Sequence, residues 1–166
     1  MPPDDRRAAG PEGLNRRPQA VFTIGYENAT PPTLVAALQR AGVVTVADVR
    51  ALANSRRPGF AKRALTAALA EAGIGYWHIP ALGTPAAGRQ AVREGRPEAM
   101  KPIFARHLAG IEAQAALGAL RERALRETLC LLCLEADPRH CHRSLVAEAL
   151  DASTVKHLHP GATGAD

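Results

Sequence analysis

A chain of 166 residues with 46% hydrophobic and 22% charged side chains has the balance of one packed domain, because a single core of this size removes ~68–70% of the unfolded surface from water. Composition counts against global disorder, collagen-like repeats and coiled coil, and no apolar run approaches the ~18 residues that a membrane span requires. The net charge of +5 arises from 21 basic and 16 acidic residues, and 18 of the basic ones are Arg. An anionic partner and a GC-rich genome account for that bias equally well, so position must decide.

Residues 1–19 hold four prolines, two glycines and four arginines with almost nothing large and apolar, and are expected to form a disordered tail. Residues 159–166 read the same way, leaving 20–158 as one domain. Within it the hydrophobic period alternates. Residues 21–25 form a short β-rich run. Thr30-Pro31-Pro32 then signals a helix start, with a stripe of Leu34, Leu38 and Ala41 ended by Gly42. Residues 43–49 repeat the strand signal, residues 61–72 the helical one with Leu65, Ala68, Leu69 and Ala72, and Gly73 stops it. Residues 74–79 make a third strand. The Gly/Pro-interrupted stretch 80–102, bearing Arg89, Arg93, Arg96 and Lys101, reads as a long irregular lid or binding loop. A helix through Phe104, Leu108, Ile111 and Ala115, broken near Gly118, precedes a fourth strand at 129–135, a helix at 141–150 and a weaker strand at 154–158. This alternation predicts a single α/β domain: a mostly parallel sheet of about five strands flanked by helices, a Rossmann-like three-layer arrangement.

Ligands of open parallel sheets occupy the crevice beyond the carboxyl ends of the strands, and the polar clusters of this sequence follow the strands. Asp48 lies in an apolar run and must be paired, with Arg50 on the same face by period two the nearest partner; it is either a structural ion pair or a general acid/base. Glu135 shares a face with Cys133 and emerges at the same edge. His78 closes the third strand, as a proton-transfer group or as the satisfier of a buried partner. Residues 50–63 carry five positive charges with no acid. Arg50, Arg56 and Arg57 there are candidate phosphate ligands, and Phe60 is a candidate stacking face for a base.

The densest cluster is His140-Cys141-His142-Arg143, at the start of a helix, where free N–H groups favour anions. His142 and Arg143 are read as phosphate-binding. Cys141 has two open readings, an activated nucleophile or a packed thiol on one face with Leu145 and Ala149. The one-residue gap from Cys141 to Arg143 does not fit the phosphate loop of tyrosine phosphatases. All three cysteines fall within twelve residues, with no leader of the secretory kind ahead of them, so a reducing cytoplasm is expected rather than a disulfide framework. Cys130, Cys133, Cys141, His140 and His142 together suggest zinc, but Cys130 and Cys133, three apart on a strand, point to opposite sides, so no metal site and no cofactor are expected.

Thr23-Ile24-Gly25-Tyr26, Val46-Ala47-Asp48-Val49-Arg50, Ser55-Arg56 with Pro58-Gly59-Phe60, Tyr76 with His78, Pro80 and Leu82-Gly83, Cys133 with Glu135, and Cys141-His142-Arg143-Ser144 together resemble the bacterial and archaeal family catalogued as domain of unknown function 488. The resemblance spans residues 22–150 and implies a small cytoplasmic α/β domain without implying a reaction. The residues themselves favour an enzyme acting on a phosphate-bearing substrate, nucleic acid foremost, by hydrolysis or base excision. In that reading Arg50, Arg56, Arg57, His142 and Arg143 hold phosphate while Asp48, Glu135 and His78 move protons. The alternatives are a non-catalytic nucleic-acid-binding module and a thiol enzyme working on a small phosphorylated metabolite through Cys141.

Overall fold

The computed structural model describes residues 16–161; of the tails expected at 1–19 and 159–166, residues 1–15 and 162–166 lie outside the described residues. Five strands, β1 (Ala20–Gly25), β2 (Thr45–Asp48), β3 (Gly75–His78), β4 (Leu129–Cys133) and β5 (Thr154–Leu158), form one sheet in the order β3-β2-β4-β1-β5. Every pairing is parallel. Central β4, hydrogen-bonded on both edges, is buried along its whole length, which is why residues 129–134 read as a continuous apolar run rather than an alternating one.

Helices cover both faces. Helix α1 (Pro31–Arg40) and α2 (Lys62–Glu71) bury Leu34, Leu38, Leu65 and Leu69 against Ile24, Val46, Cys130 and Leu132. Helices α4 (Pro97–Leu108), α5 (Ile111–Ala124) and α6 (His142–Ala149) bury Phe104, Leu117, Leu120 and Val146 against Val21, Ala47, Leu131 and Cys133. Helix α1 starts as its sequence indicates: Thr30 and Thr33 form a reciprocal cap, and the Pro31 and Pro32 positions have no intrahelical N–H partner to lose.

Two expectations need correction. The stretch 80–102 is a short 3-10 turn at Pro80–Leu82, then α3 (Ala86–Arg93) and the first half of α4. Pro85 and Pro97 misled because they are an N-cap and a first-turn residue, positions where a missing N–H costs nothing, while Pro102 is carried inside α4. The break near Gly118 does not exist: Gly118 sits exposed inside α5, and the interruption comes at Ala109 and Gly110. That interruption resets the helical phase, so the buried stripe of α5 is Ala113, Leu117, Leu120 and Ala124, while Ile111 faces solvent.

The strand order creates a switch point. From β1 and β2 the chain proceeds toward the β3 edge, whereas from β4 it proceeds toward β5. The carboxyl ends of β1, β2 and β4 therefore have connections diverging in opposite directions, and a crevice must open between them.

Candidate functional site

At that position lies a cleft of about 270 Å³, bordered by Tyr26 after β1, Arg50 and Leu52 after β2, Cys133 and Glu135 at the end of β4, Arg89 and Arg93 from α3, and His142 from α6. Two glycines let its walls meet. A Cβ on Gly25 would overlap the carbonyl of Glu135, and one on Gly83 would overlap the Ala51 backbone. Both positions admit glycine alone because two backbones touch there.

Beneath the cleft, Asp48 is fully buried. Its carboxylate accepts from the Arg50 backbone N–H at 3.1 Å, from Arg50 Nε at 2.9 Å and Nη2 at 2.7 Å, and from the Tyr76 hydroxyl at 2.5 Å. Arg50 also donates to Tyr26 Oη and the Phe60 carbonyl and lies over the Tyr26 ring. Burial opposes the guanidinium charge, yet Asp48 holds Arg50 charged beyond its ordinary range, while burial and the same carboxylate push the Tyr76 phenol up. The pairing of Asp48 with Arg50 matches the sequence expectation. It also spends most of Arg50's donors inside the protein.

Arg143 has no solvent exposure. Its Nε donates to Thr23 Oγ1, Nη1 to the Glu135 carbonyl at 2.5 Å and Nη2 to that of Ala136, so the residue fixes the β4–α6 turn from below. Arg57 likewise turns inward, donating to the carbonyls of Tyr26, Glu27 and Ala29 and covering the Phe60 ring. Phe60 is not a free stacking face: it is buried, parallel to Tyr26 at 4.6 Å, because an aromatic pair removes more apolar area than an exposed ring. Arg56, by contrast, is exposed.

His78 Nε2 donates to the Arg50 carbonyl at 2.8 Å, which leaves it at the sheet edge but outside the cleft lining. His142 Nε2 donates to the Val49 carbonyl at 2.6 Å, and burial drives its pKa down to about 4. Half-buried Glu135 is pushed up by burial, with its own backbone N–H and Arg143 opposing, and its Oε2 packs 2.9 Å from the Cys133 sulfur. Of the residues singled out in the sequence, the cleft thus brings together Arg50, Glu135 and His142, with Asp48, Cys141 and Arg143 in the layer below. His78, Arg56 and Arg57 stand apart from it.

The cysteines depart from the three free thiols expected. Cys133, ending β4, and Cys141, the N-cap of α6, are joined as a disulfide with Cα atoms 7.5 Å apart. The short turn through Pro138–His140 folds one over the other, a meeting that eight residues of separation do not announce. Cys130 is a free thiol buried in the opposite layer, and burial raises its pKa.

Besides Arg50, whose donors are mostly spent inside the protein, the cleft is lined by Arg89 and Arg93, four apart on α3 and hence on one helical face. Arg89 Nη1 donates to the Thr84 carbonyl at 3.1 Å. These were legible as charges in the stretch 80–102 but not as a helical pair, because that stretch read as a loop.

The parallel sheet, its switch point and the cleft define a small α/β protein with a crevice at the carboxyl edge. The chain belongs to the family described as Domain of unknown function DUF488, whose sequence profile matches residues 31–150. No curated protein and no solved structure matches the chain.

Proposed function

We propose that this protein is an enzyme acting on a phosphate-bearing substrate, with nucleic acid the leading class, and that the switch-point cleft is its active site. The observation that carries this reading is the placement of Arg89 and Arg93 on the same cleft as Glu135. Two guanidiniums one helical turn apart suit successive oxygens of a phosphate or two neighbouring phosphates. Exposed Leu52 and Leu134, 56% and 43% accessible, give the cleft apolar rims for a base or sugar. Glu135, whose pKa burial raises, lies on the cleft lining where a general acid toward a leaving oxygen or nitrogen is required. Asp48 serves as a positioning residue that holds Arg50, and with it the β2 edge of the cleft, in place.

The test is turnover on a panel of single- and double-stranded DNA, RNA and nucleotides, followed by Glu135→Gln on whichever substrate is consumed. The expected result is a loss of ~10²- to 10⁴-fold in kcat with little change in KM, since proton transfer acts in the transition state. Equal turnover by Glu135→Gln contradicts the assignment.

A second reading has its own observation. Asp48 is sealed off from solvent and serves Arg50 and Tyr76, as expected of a binding module whose carboxylates only orient arginines. Salt-dependent binding by a protein that leaves the whole panel intact selects the module.

A further inference from the structure

The floor of the cleft holds a donor set that neither phosphate binding nor proton transfer uses. Cys133 Sγ, Cys141 Sγ and a ring nitrogen of His142 all lie within 4.8 Å of one another, and all three residues are buried. The ring is oriented from behind. A carbonyl oxygen can only accept, so Nε2, 2.6 Å from the Val49 carbonyl, must carry the proton. Nδ1 is then the nitrogen with the free lone pair, and it faces Cys141 Sγ at 3.9 Å. A backbone carbonyl that takes the remote N–H and aims the other nitrogen inward is the usual support of a metal-bound imidazole.

We propose that, with Cys133 and Cys141 reduced, the chain binds one thiophilic divalent cation of the zinc class through Cys133 Sγ, Cys141 Sγ and His142 Nδ1, its fourth coordination position opening on the cleft. Tetrahedral zinc, with bonds of ~2.3 Å to sulfur and ~2.0–2.1 Å to nitrogen, sets an N···S separation of ~3.6 Å, close to the 3.9 Å between Nδ1 and Cys141 Sγ. The Cα atoms, 7.5 Å apart, lie beyond the ~4.4–6.8 Å usual for a disulfide, and two thiolates sharing an ion span a wider gap than two bonded sulfurs. Charge also balances: two thiolates neutralise the dication, and Arg143 Nη1, 4.0 Å from Cys133 Sγ, adds an N–H toward one of them. Three protein ligands with one open position is the pattern of sites where the metal meets a substrate or water. Cys130 and Cys133 do enter opposite layers, as the strand alternation requires; the donors that join Cys133 are Cys141 and His142 from the start of α6.

Reduction and binding are separate steps. A dithiol reductant cleaves the Cys133–Cys141 bond by exchange, becoming a disulfide itself and supplying two electrons and two protons. Binding of the dication then releases the two thiol protons. Oxidation of the pair would eject the ion, so the same residues define a metal-loaded and a disulfide form.

Co²⁺ is the probe, since its absorption reports thiolate ligation and tetrahedral geometry directly. The full chain is reduced with a phosphine, exchanged anaerobically into reductant-free buffer and titrated. The proposal predicts a sulfur-to-cobalt charge-transfer band and strong visible d–d bands that saturate at one equivalent and vanish on adding one equivalent of Zn²⁺. Cys130→Ser should keep both features, and Cys133→Ser and Cys141→Ser, checked for fold by circular dichroism, should weaken Co²⁺ binding by at least ~100-fold. Wild-type protein without the charge-transfer band, or Cys133→Ser binding as tightly as wild type, overturns the proposal. The readout needs no substrate, so its failure leaves the phosphate reading standing, and failure of the phosphate reading leaves the metal site standing.

Discussion

Asp48→Asn is nearly isosteric and removes one negative charge from a site with no solvent access. Asp48 accepts two side-chain donors from Arg50, its backbone N–H and the Tyr76 hydroxyl. The asparagine would turn an N–H₂ group toward the guanidinium or the phenol, and Arg50 would remain buried with its charge uncompensated. Breaking a buried pair from one side costs ~3–5 kcal/mol, and for a domain of this size each kcal/mol moves Tm by ~2–4 °C. The expected loss is therefore ~6–20 °C. Thermal and urea unfolding followed by circular dichroism measure the loss as Tm and as free energy, alongside Asp48→Val, Arg50→Met and the double variant that combines those two. Removing both partners leaves no orphaned charge, so the double variant should cost less than the sum of its parts, by ~0.5–3 kcal/mol. A midpoint for Asp48→Asn within ~1 kcal/mol of wild type, or strict additivity, would refute the view of the pair as the cleft's structural anchor.

Gly25→Ala should lower stability by ~1–3 kcal/mol in the same assay, because its Cβ meets the Glu135 carbonyl that Arg143 also holds; an unchanged midpoint would mean the two backbones are not in contact. Arg57→Ala should cost ~1.5–3 kcal/mol through the carbonyls it gathers, whereas exposed Arg56→Ala should stay within ~0.5 kcal/mol, and equal effects would contradict the difference in their placement. Thr23 Oγ1 accepts from Arg143 Nε and is hydrogen-bonded to His157 Nδ1 at 2.6 Å. Burial, then Arg143, lowers the His157 pKa, so the link stabilises the fold above the ordinary histidine pKa of ~6.5 and is lost as pH falls below it. His157→Asn should therefore flatten the fall in stability between pH ~7 and ~5, and identical pH profiles would remove this link.

The strands and their polar ends were legible because period and burial coincide there. Asp48 in an apolar run had to find a cation, and Arg50 two residues on was the one within reach. The carboxyl-edge placement of Glu135 and His142 followed from the same alternation. What sequence did not disclose was direction of the long side chains. Arg57 and Arg143 read as phosphate ligands because guanidiniums usually face water, yet each found several backbone carbonyls and folded inward. Arg89 and Arg93 were hidden by prolines that start helices rather than break them. The Cys133–Cys141 meeting depends on a turn of a few residues whose path no periodicity encodes.

The most direct test of the central claim is the salt dependence of nucleic-acid binding by wild type and by Arg89→Ala with Arg93→Ala. Fluorescence anisotropy with a labelled oligonucleotide over a range of salt gives the slope of log K against log salt, about −0.7 to −0.9 per neutralised phosphate. If the cleft receives the phosphates, the double variant should lose ~1.4–1.8 from the magnitude of that slope while keeping its unfolding midpoint, since both side chains lie on the cleft surface. A wild-type affinity indifferent to salt, or a double variant with an unchanged slope, would contradict it.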